Sequence, residues 1–168
     1  METVKGFKDV TGEDAVKRAK VRDILVDNFR LYGFEPAETP IIEYENFMKE
    51  GNADDEAVSD IFKLKDRGKR ELALRYEFTF QLKRIAKNKR LPYKRYQIGS
   101  VFRDEPISAN RFREFTQCDI DVIGSTYKND AEVLKITSKI LDALGIKYEI
   151  NVNSRRLLNE ILNKEDIQ

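Results

Sequence analysis

Residues 95–124 read RYQIGSVFRDEPISANRFREFTQCDIDVIG. Tyr96, Ile98, Val101 and Phe102 give 95–102 the character of a strand. The stretch 103–113 is polar. Over 114–124, Cys118, Ile120 and Val122 alternate with Gln117, Asp119 and Asp121, the period of a strand with one apolar and one polar face. Two strands around a polar loop predict a hairpin. Arg103 would leave the first strand as Arg111 and Arg113 enter the second, bringing their guanidinium groups together. A planar, permanently charged fork suits phosphate oxygens, and Phe112 and Phe115 offer flat surface for a base. The other reading of the same loop is a solvated hairpin in which Arg103, Arg111 and Arg113 pair with Asp104, Glu105 and Glu114. The row Gln117, Asp119, Asp121 is likewise open to two readings: an outer solvent face, or the floor of a polar cleft that receives an ammonium group.

Outward from the hairpin, the chain alternates helices and short strands. Over 14–32, Ala15, Ala19, Ile24, Leu25, Phe29 and Tyr32 fall near a 3.6-residue period, with Thr11 or Asp14 as N-cap and Gly33 as C-terminal stop. Pro36 and Pro40 make 34–42 extended, and a strand holding proline belongs at an edge. A short helix is expected over 44–50 and an acidic loop over 52–59. Strands at 61–64 and 71–75 flank the turn Lys65-Asp66-Arg67-Gly68. A helix is expected over 79–88. Glu77 and Thr79 stand at the strand-to-helix junction, where Thr79 is either an N-cap or, with Glu77, part of a cleft above the sheet. A helix over 130–144 ending at Gly145, a strand over 148–152 and a helix over 155–163 complete the chain. Strands joined by hairpins with helices between them argue for an α+β fold, an antiparallel sheet flanked by helices.

The 168 residues suit one domain with at most a small appendage. Thirty-one basic against 30 acidic residues leave a net charge of +1, which names no partner. The chain has no histidine and one cysteine, Cys118, which excludes a Ser-His-Asp triad, a His-ligated metal and an intrachain disulfide. A lone cysteine fits a reducing cytoplasm. The first ten residues lack the apolar stretch of a signal peptide, and no apolar run reaches membrane-spanning length.

Several segments together resemble the histidyl-tRNA synthetase family of class II aminoacyl-tRNA synthetases. The 14–42 helix and strand, with Gly33-Phe34-Glu35-Pro36-Ala37-Glu38-Thr39-Pro40, is similar to the family's motif 1, and residues 95–124 are similar to motif 2, its ATP-binding hairpin. Leu74-Arg75-Tyr76-Glu77-Phe78-Thr79 and Gln117-Cys118-Asp119-Ile120-Asp121 resemble its amino-acid pocket. The opening Lys5-Gly6-Phe7-Lys8-Asp9 and the late Val152-Asn153-Ser154-Arg155-Arg156-Leu157-Leu158 fit as well, in an archaeal and eukaryotic style. The resemblance implies a class II catalytic core and assigns roles. Arg103 is the catalytic residue, holding the α-phosphate of ATP and the amino-acid carboxylate. Glu105 reads the adenine amino group, Phe115 stacks on adenine, Arg111 reaches the γ-phosphate, and Arg113 supports the loop. Glu77 and Thr79 bind the α-amino group of histidine, and Gln117 and Asp121 complete the pocket. Position 77 is Glu where archaeal and eukaryotic members commonly carry Asp, which keeps the charge.

The resemblance also implies ATP as substrate, Mg²⁺ on its phosphates, L-histidine, tRNA(His), and a homodimer through motif 1; no metal ligand is assigned in the chain. The family's Gly-rich motif 3 is not found, since none of the 8 glycines follows Gly145. Neither its second catalytic arginine nor its anticodon-binding domain appears. Residues 1–168 are therefore expected to be an N-terminal, incomplete portion of the core, inactive or very weak alone. The alternatives are a regulatory paralogue, such as the subunit partnering an ATP phosphoribosyltransferase, and a dimerisation module.

Overall fold

The first long element is a helix, α1 (Gly12–Leu31), entered through Thr11 in extended conformation. It stops where Gly33 adopts φ +75°. Gly33 N–H donates to Arg30 O and Phe34 N–H to Phe29 O, each at 3.0 Å, so two of the last carbonyls are satisfied. The Phe29 and Phe34 rings close over that turn at 6.4 Å. The structure is a computed structural model that describes residues 2–49 and 60–164; the acidic loop expected at 52–59 lies outside them.

Beyond α1 come β1 (Glu35–Pro36), β2 (Ile42–Tyr44), α2 (Glu45–Lys49), β3 (Lys63–Lys65), β4 (Glu71–Leu74), α3 (Thr79–Ala86), β5 (Tyr93–Phe102), β6 (Glu114–Ile123), α4 (Tyr127–Ala143) and α5 (Arg155–Lys164). They form two three-stranded sheets, β1-β5-β6 and β2-β4-β3, an α+β architecture. The second sheet is antiparallel throughout. The first is mixed, because β1 runs parallel to β5. Pro36, which has no N–H to give, sits at its border, as proline in a strand must.

The hairpin of β5 and β6 is the longest pairing, in unbroken register from Tyr93↔Ile123 to Phe102↔Glu114. Alternation splits it into two faces. On one, Tyr96, Ile98, Ile120 and Val122 pack with Phe29, Phe34, Ile136 and Ile140, so the sheet rests on the end of α1 and on α4. A second small core gathers Met48, Ile61, Ala73 and Phe80. The opposite face of the hairpin is the polar one.

Arg75 joins the sheets. Its Nε donates to Ser100 O at 2.7 Å and its Nη1 to Thr39 O at 2.8 Å. Its main chain bonds Ile41 and Phe102. Gly99 makes room for it, since a Cβ there would fall 2.9 Å from Arg75 Nη2. Gly99→Ala is therefore expected to lose about 1–3 kcal/mol of stability through overpacking, read as a lowered denaturant midpoint. An unchanged midpoint would mean that Arg75 is free to shift.

Three expectations fail. Residues 148–152 have the alternation of a strand but form no strand pairing among the described residues; Tyr148 and Val152 are exposed, and alternation without a neighbouring edge makes no sheet. Thr79 is not a cap but the first helical residue, with Phe78 in the N-cap position. The N-terminal half of α1 leaves Ala19, Val16 and Val21 exposed, because only its C-terminal half meets the sheet.

Candidate functional site: the polar face of the hairpin

Register sets Arg95 across from Asp121, Gln97 across from Asp119, and Gly99 across from Gln117, all on the face turned away from α1 and α4. Arg95 is fully buried, and its Nη2 lies 2.7 Å from Asp121 Oδ2 and 3.5 Å from Phe78 O. Gln97 donates to Thr39 Oγ1 at 2.8 Å. Gln117 Nε2 donates to both oxygens of Asp119, at 3.0 and 2.8 Å. Several buried atoms of this row have no hydrogen-bond partner among the described residues: Arg95 Nε and Nη1, Gln97 Oε1 and Gln117 Oε1. Buried polar atoms are almost always satisfied, so unmet donors and acceptors along one face mark a surface suited to a polar ligand.

The segment after β4 lies over this floor. The Phe78 ring approaches Gly99, and Arg75 stacks on Phe78 at 5.0 Å. Glu77 is half-buried and interacting; Thr79 is exposed at the start of α3.

At the loop end, Arg103 sits between two rings, 4.3 Å from the centroid of Tyr76 and 5.0 Å from that of Phe115. Its Nε is buried and without a partner among the described residues, and its Nη1 is 4.0 Å from Glu105. Arg111, largely exposed, reaches the same Glu105 at 3.4 Å. Arg113 turns instead to Asp104 at 3.1 Å and to the Glu105 carbonyl at 3.3 Å. Arg103, Glu105, Arg111 and Phe115 are thus brought together, while Arg113 braces the loop from behind. The Arg–acid pairing of the second reading is real, but it is lopsided: Arg103 holds Glu105 only at the limit of an ion pair.

Two titratable groups of β6 are shifted by desolvation. Asp121 is pushed above the usual carboxylate range by burial, with Arg95 opposing and Asp119 adding repulsion. The Cys118 thiol lies on the other face; the residue is exposed overall, and its partly desolvated sulfur, beside Asp119 and against Arg22, is pushed up to about 11. At pH 8 such a thiol should react with iodoacetamide about 10²-fold more slowly than a free cysteine, followed by mass spectrometry. A rate matching free cysteine would contradict that environment.

Sequence reasoning missed Arg95 and Gln97. The signal was the parity of β5, where Arg-x-Gln-x-Gly mirrors Gln-x-Asp-x-Asp of β6. Among the described residues no trio of acidic or cysteine side chains converges to cage a cation. No described helix is long and apolar enough to cross a membrane.

The same arrangement, a two-faced hairpin resting on helices, is found in solved histidyl-tRNA synthetases, which are class II aminoacyl-tRNA synthetases. The histidyl-tRNA synthetase of Nostoc sp. PCC 7120 superposes with a TM-score of 0.72 at 30% identity, over 84% of this chain and 34% of that one. A Bacillus halodurans protein described as an ATP phosphoribosyltransferase regulatory subunit/histidyl-tRNA synthetase superposes at 0.74 and 25%, over 87% and 38%. The family model for histidyl-tRNA synthetase matches residues 6–168, and the chain belongs to that family. The histidine–tRNA ligase 1 of Bacillus cereus is 42% identical over 99% of this chain and 40% of its own length. That of Wolinella succinogenes is 40% identical over 95% and 37%. The chain thus spans about two fifths of the curated relatives it matches. These relatives are bacterial, so the archaeal and eukaryotic style expected from a few short segments does not hold against identity along nearly the whole chain.

Proposed function

We propose that residues 1–168 form the ATP- and histidine-binding front of a histidine–tRNA ligase core, with motif 1 at about 14–42 and motif 2 at about 95–124. The observation that carries this is Arg103, held between Tyr76 and Phe115 at the mouth of the polar floor with its Nε unmet. In the reaction a histidine carboxylate oxygen attacks the α-phosphorus of ATP. The new P–O bond gives the aminoacyl-adenylate, and the bond to the β,γ-phosphates breaks to release pyrophosphate. No proton must be abstracted, which suits a chain without histidine.

Arg103 aligns the two anions and stabilises the charge gathering at phosphorus. Phe115 stacks on adenine, and Glu105 reads its amino group. Arg111, exposed and only lightly held by Glu105, swings to the γ-phosphate, and Arg113 keeps the loop in place. Glu77 and Thr79 take the α-ammonium of histidine. Gln117, whose Oε1 has no partner among the described residues, and Asp121 complete the pocket. Mg²⁺ would ride on the phosphates, and no step is assigned to it here. Transfer to tRNA(His), a homodimer through motif 1 and a cytoplasmic setting belong to the same proposal.

The regulatory-subunit reading draws on the Bacillus halodurans likeness. The ligase reading is preferred because the ligase of Bacillus cereus is far more similar and because Arg103, Arg111 and Gln117 are all present. Titration of this chain with ATP, followed by histidine-dependent ATP–pyrophosphate exchange, tests it. Nucleotide binding with little or no exchange is the expected result. Failure to bind ATP would favour a dimerisation module, and robust exchange would show that the chain needs no further catalytic parts.

A further inference from the structure

The opening Lys5-Gly6-Phe7 has no role in the site described so far, yet it lies against the loop end of the hairpin. Gly6 O accepts the N–H of Arg113 at 2.8 Å and that of Glu114 at 3.3 Å. Phe7 closes a turn onto Val4 O at 2.9 Å, and Thr3 Oγ1 donates to Phe7 O at 3.0 Å. The Phe7 ring packs edge-on to Phe62 at 6.0 Å and against Phe102, the last residue of β5, at 6.4 Å. One short segment thus touches the hairpin where the loop leaves β5 and where it enters β6.

Gly6 is held to a narrow choice. Its φ is +90°, and a Cβ there would fall 2.8 Å from Arg113 Cγ, 2.9 Å from Cδ and 3.0 Å from Cβ. The Arg113 stem therefore lies directly on the bare glycine. From that seat Arg113 reaches Asp104 and the Glu105 carbonyl, and its backbone carbonyl accepts the N–H of Arg103 at 2.9 Å. Glu105 in turn faces Arg103 and Arg111.

We propose that Gly6 and Phe7 are positioning residues: a strap that fixes Arg113 and, through it, the placement of Arg103, Glu105 and Arg111 for the nucleotide. The inference rests on reading the hairpin as the ATP site. It acts through backbone and stem contacts, with no contact between the strap and the substrate.

Gly6→Ala in this chain tests it, read by amide hydrogen exchange and by ATP titration. Exchange at Arg103, Arg113 and Glu114 should accelerate about tenfold, the scale of a lost hydrogen bond, and ATP binding should weaken by about the same factor. Exchange at Gln97 and Asp119 in mid-hairpin, which face each other across the β5–β6 ladder, should stay as in the parent. Gly12→Ala is the control: its φ is +60°, but nothing lies within 4 Å of a Cβ there, so it carries backbone strain without the collision and should leave loop and ATP affinity unchanged. Phe7→Ala, which keeps Gly6 and removes the ring contacts, should move both readouts in the same direction as Gly6→Ala and serves if that variant fails to fold. Unchanged exchange at the loop, or acceleration spread evenly over the sheet, would overturn the strap. Faster loop exchange with ATP affinity intact would reduce it to packing and overturn the positioning role. A parent chain that binds no ATP would instead overturn the nucleotide reading, a result distinct from either.

Discussion

Arg103→Ala is expected to lower histidine-dependent ATP–pyrophosphate exchange by about 10²–10³-fold, the effect of losing an oriented charge at the reacting centre, about 3–4 kcal/mol. The fold should hardly notice. Arg103 gives up two ring contacts and one ion pair at 4.0 Å, none of them a strong tie. Its effect on the melting temperature should therefore be small beside its effect on rate. Lysine at 103 keeps the charge but loses the flat guanidinium that fits between Tyr76 and Phe115, so it should recover only a minor part. The measurement is the exchange rate of each variant in a chimeric ligase that joins residues 1–168 to the remainder of the Bacillus cereus enzyme. A loss under tenfold for Arg103→Ala would move the catalytic role elsewhere in the loop.

The second large effect is one of stability. Arg95→Met should destabilise the chain by about 2–3 kcal/mol near neutral pH, because it leaves the partly buried Asp121 carboxylate without its counter-charge. Against a typical stability of about 5–15 kcal/mol this is severe. The pH dependence has a definite sign. Folding already raises the Asp121 pKa, so ionised Asp121 costs stability at neutral pH, and the cost is relieved as pH falls through its folded pKa. Without Arg95 that folded pKa rises further. The deficit of Arg95→Met should thus be largest at pH 7 and shrink on acidification, measured by urea unfolding across pH. Replacing both partners, Arg95→Met with Asp121→Leu, should restore most of the loss. A deficit independent of pH would mean that Arg95 acts by packing alone.

The contrast between these residues explains what could be read in advance. Strand alternation and the polar interruption made the β5–β6 hairpin legible, and Gly33 marked the end of α1 because a left-handed stop there suits glycine. Pro36 placed its strand at an edge. The parallel seam of β1 on β5 was not legible, since it joins positions some sixty residues apart and leaves no local trace. Nor was the partnership of each arginine. Arg113 and Arg103 are two loop arginines in sequence, yet one braces Asp104 while the other lies between aromatic rings. Arg95 was passed over because a charge in a strand reads as a solvent position; only the register, which sets it across from Asp121, shows that it is interior.

The two borders of the hairpin sheet are unlike. The rim of β5 is occupied at both ends, by the proline strand near Arg95 and by the Arg75 main chain at Phe102. The rim of β6 runs ten residues without a paired neighbour among the described residues. Any strand laid along it, from whatever source, would place alternate side chains beside Gln117, Asp119 and Asp121, so the wall of the proposed amino-acid pocket would be co-authored by that strand. Under that proposal, selectivity for the amino acid is a shared property of the seam rather than of these residues alone.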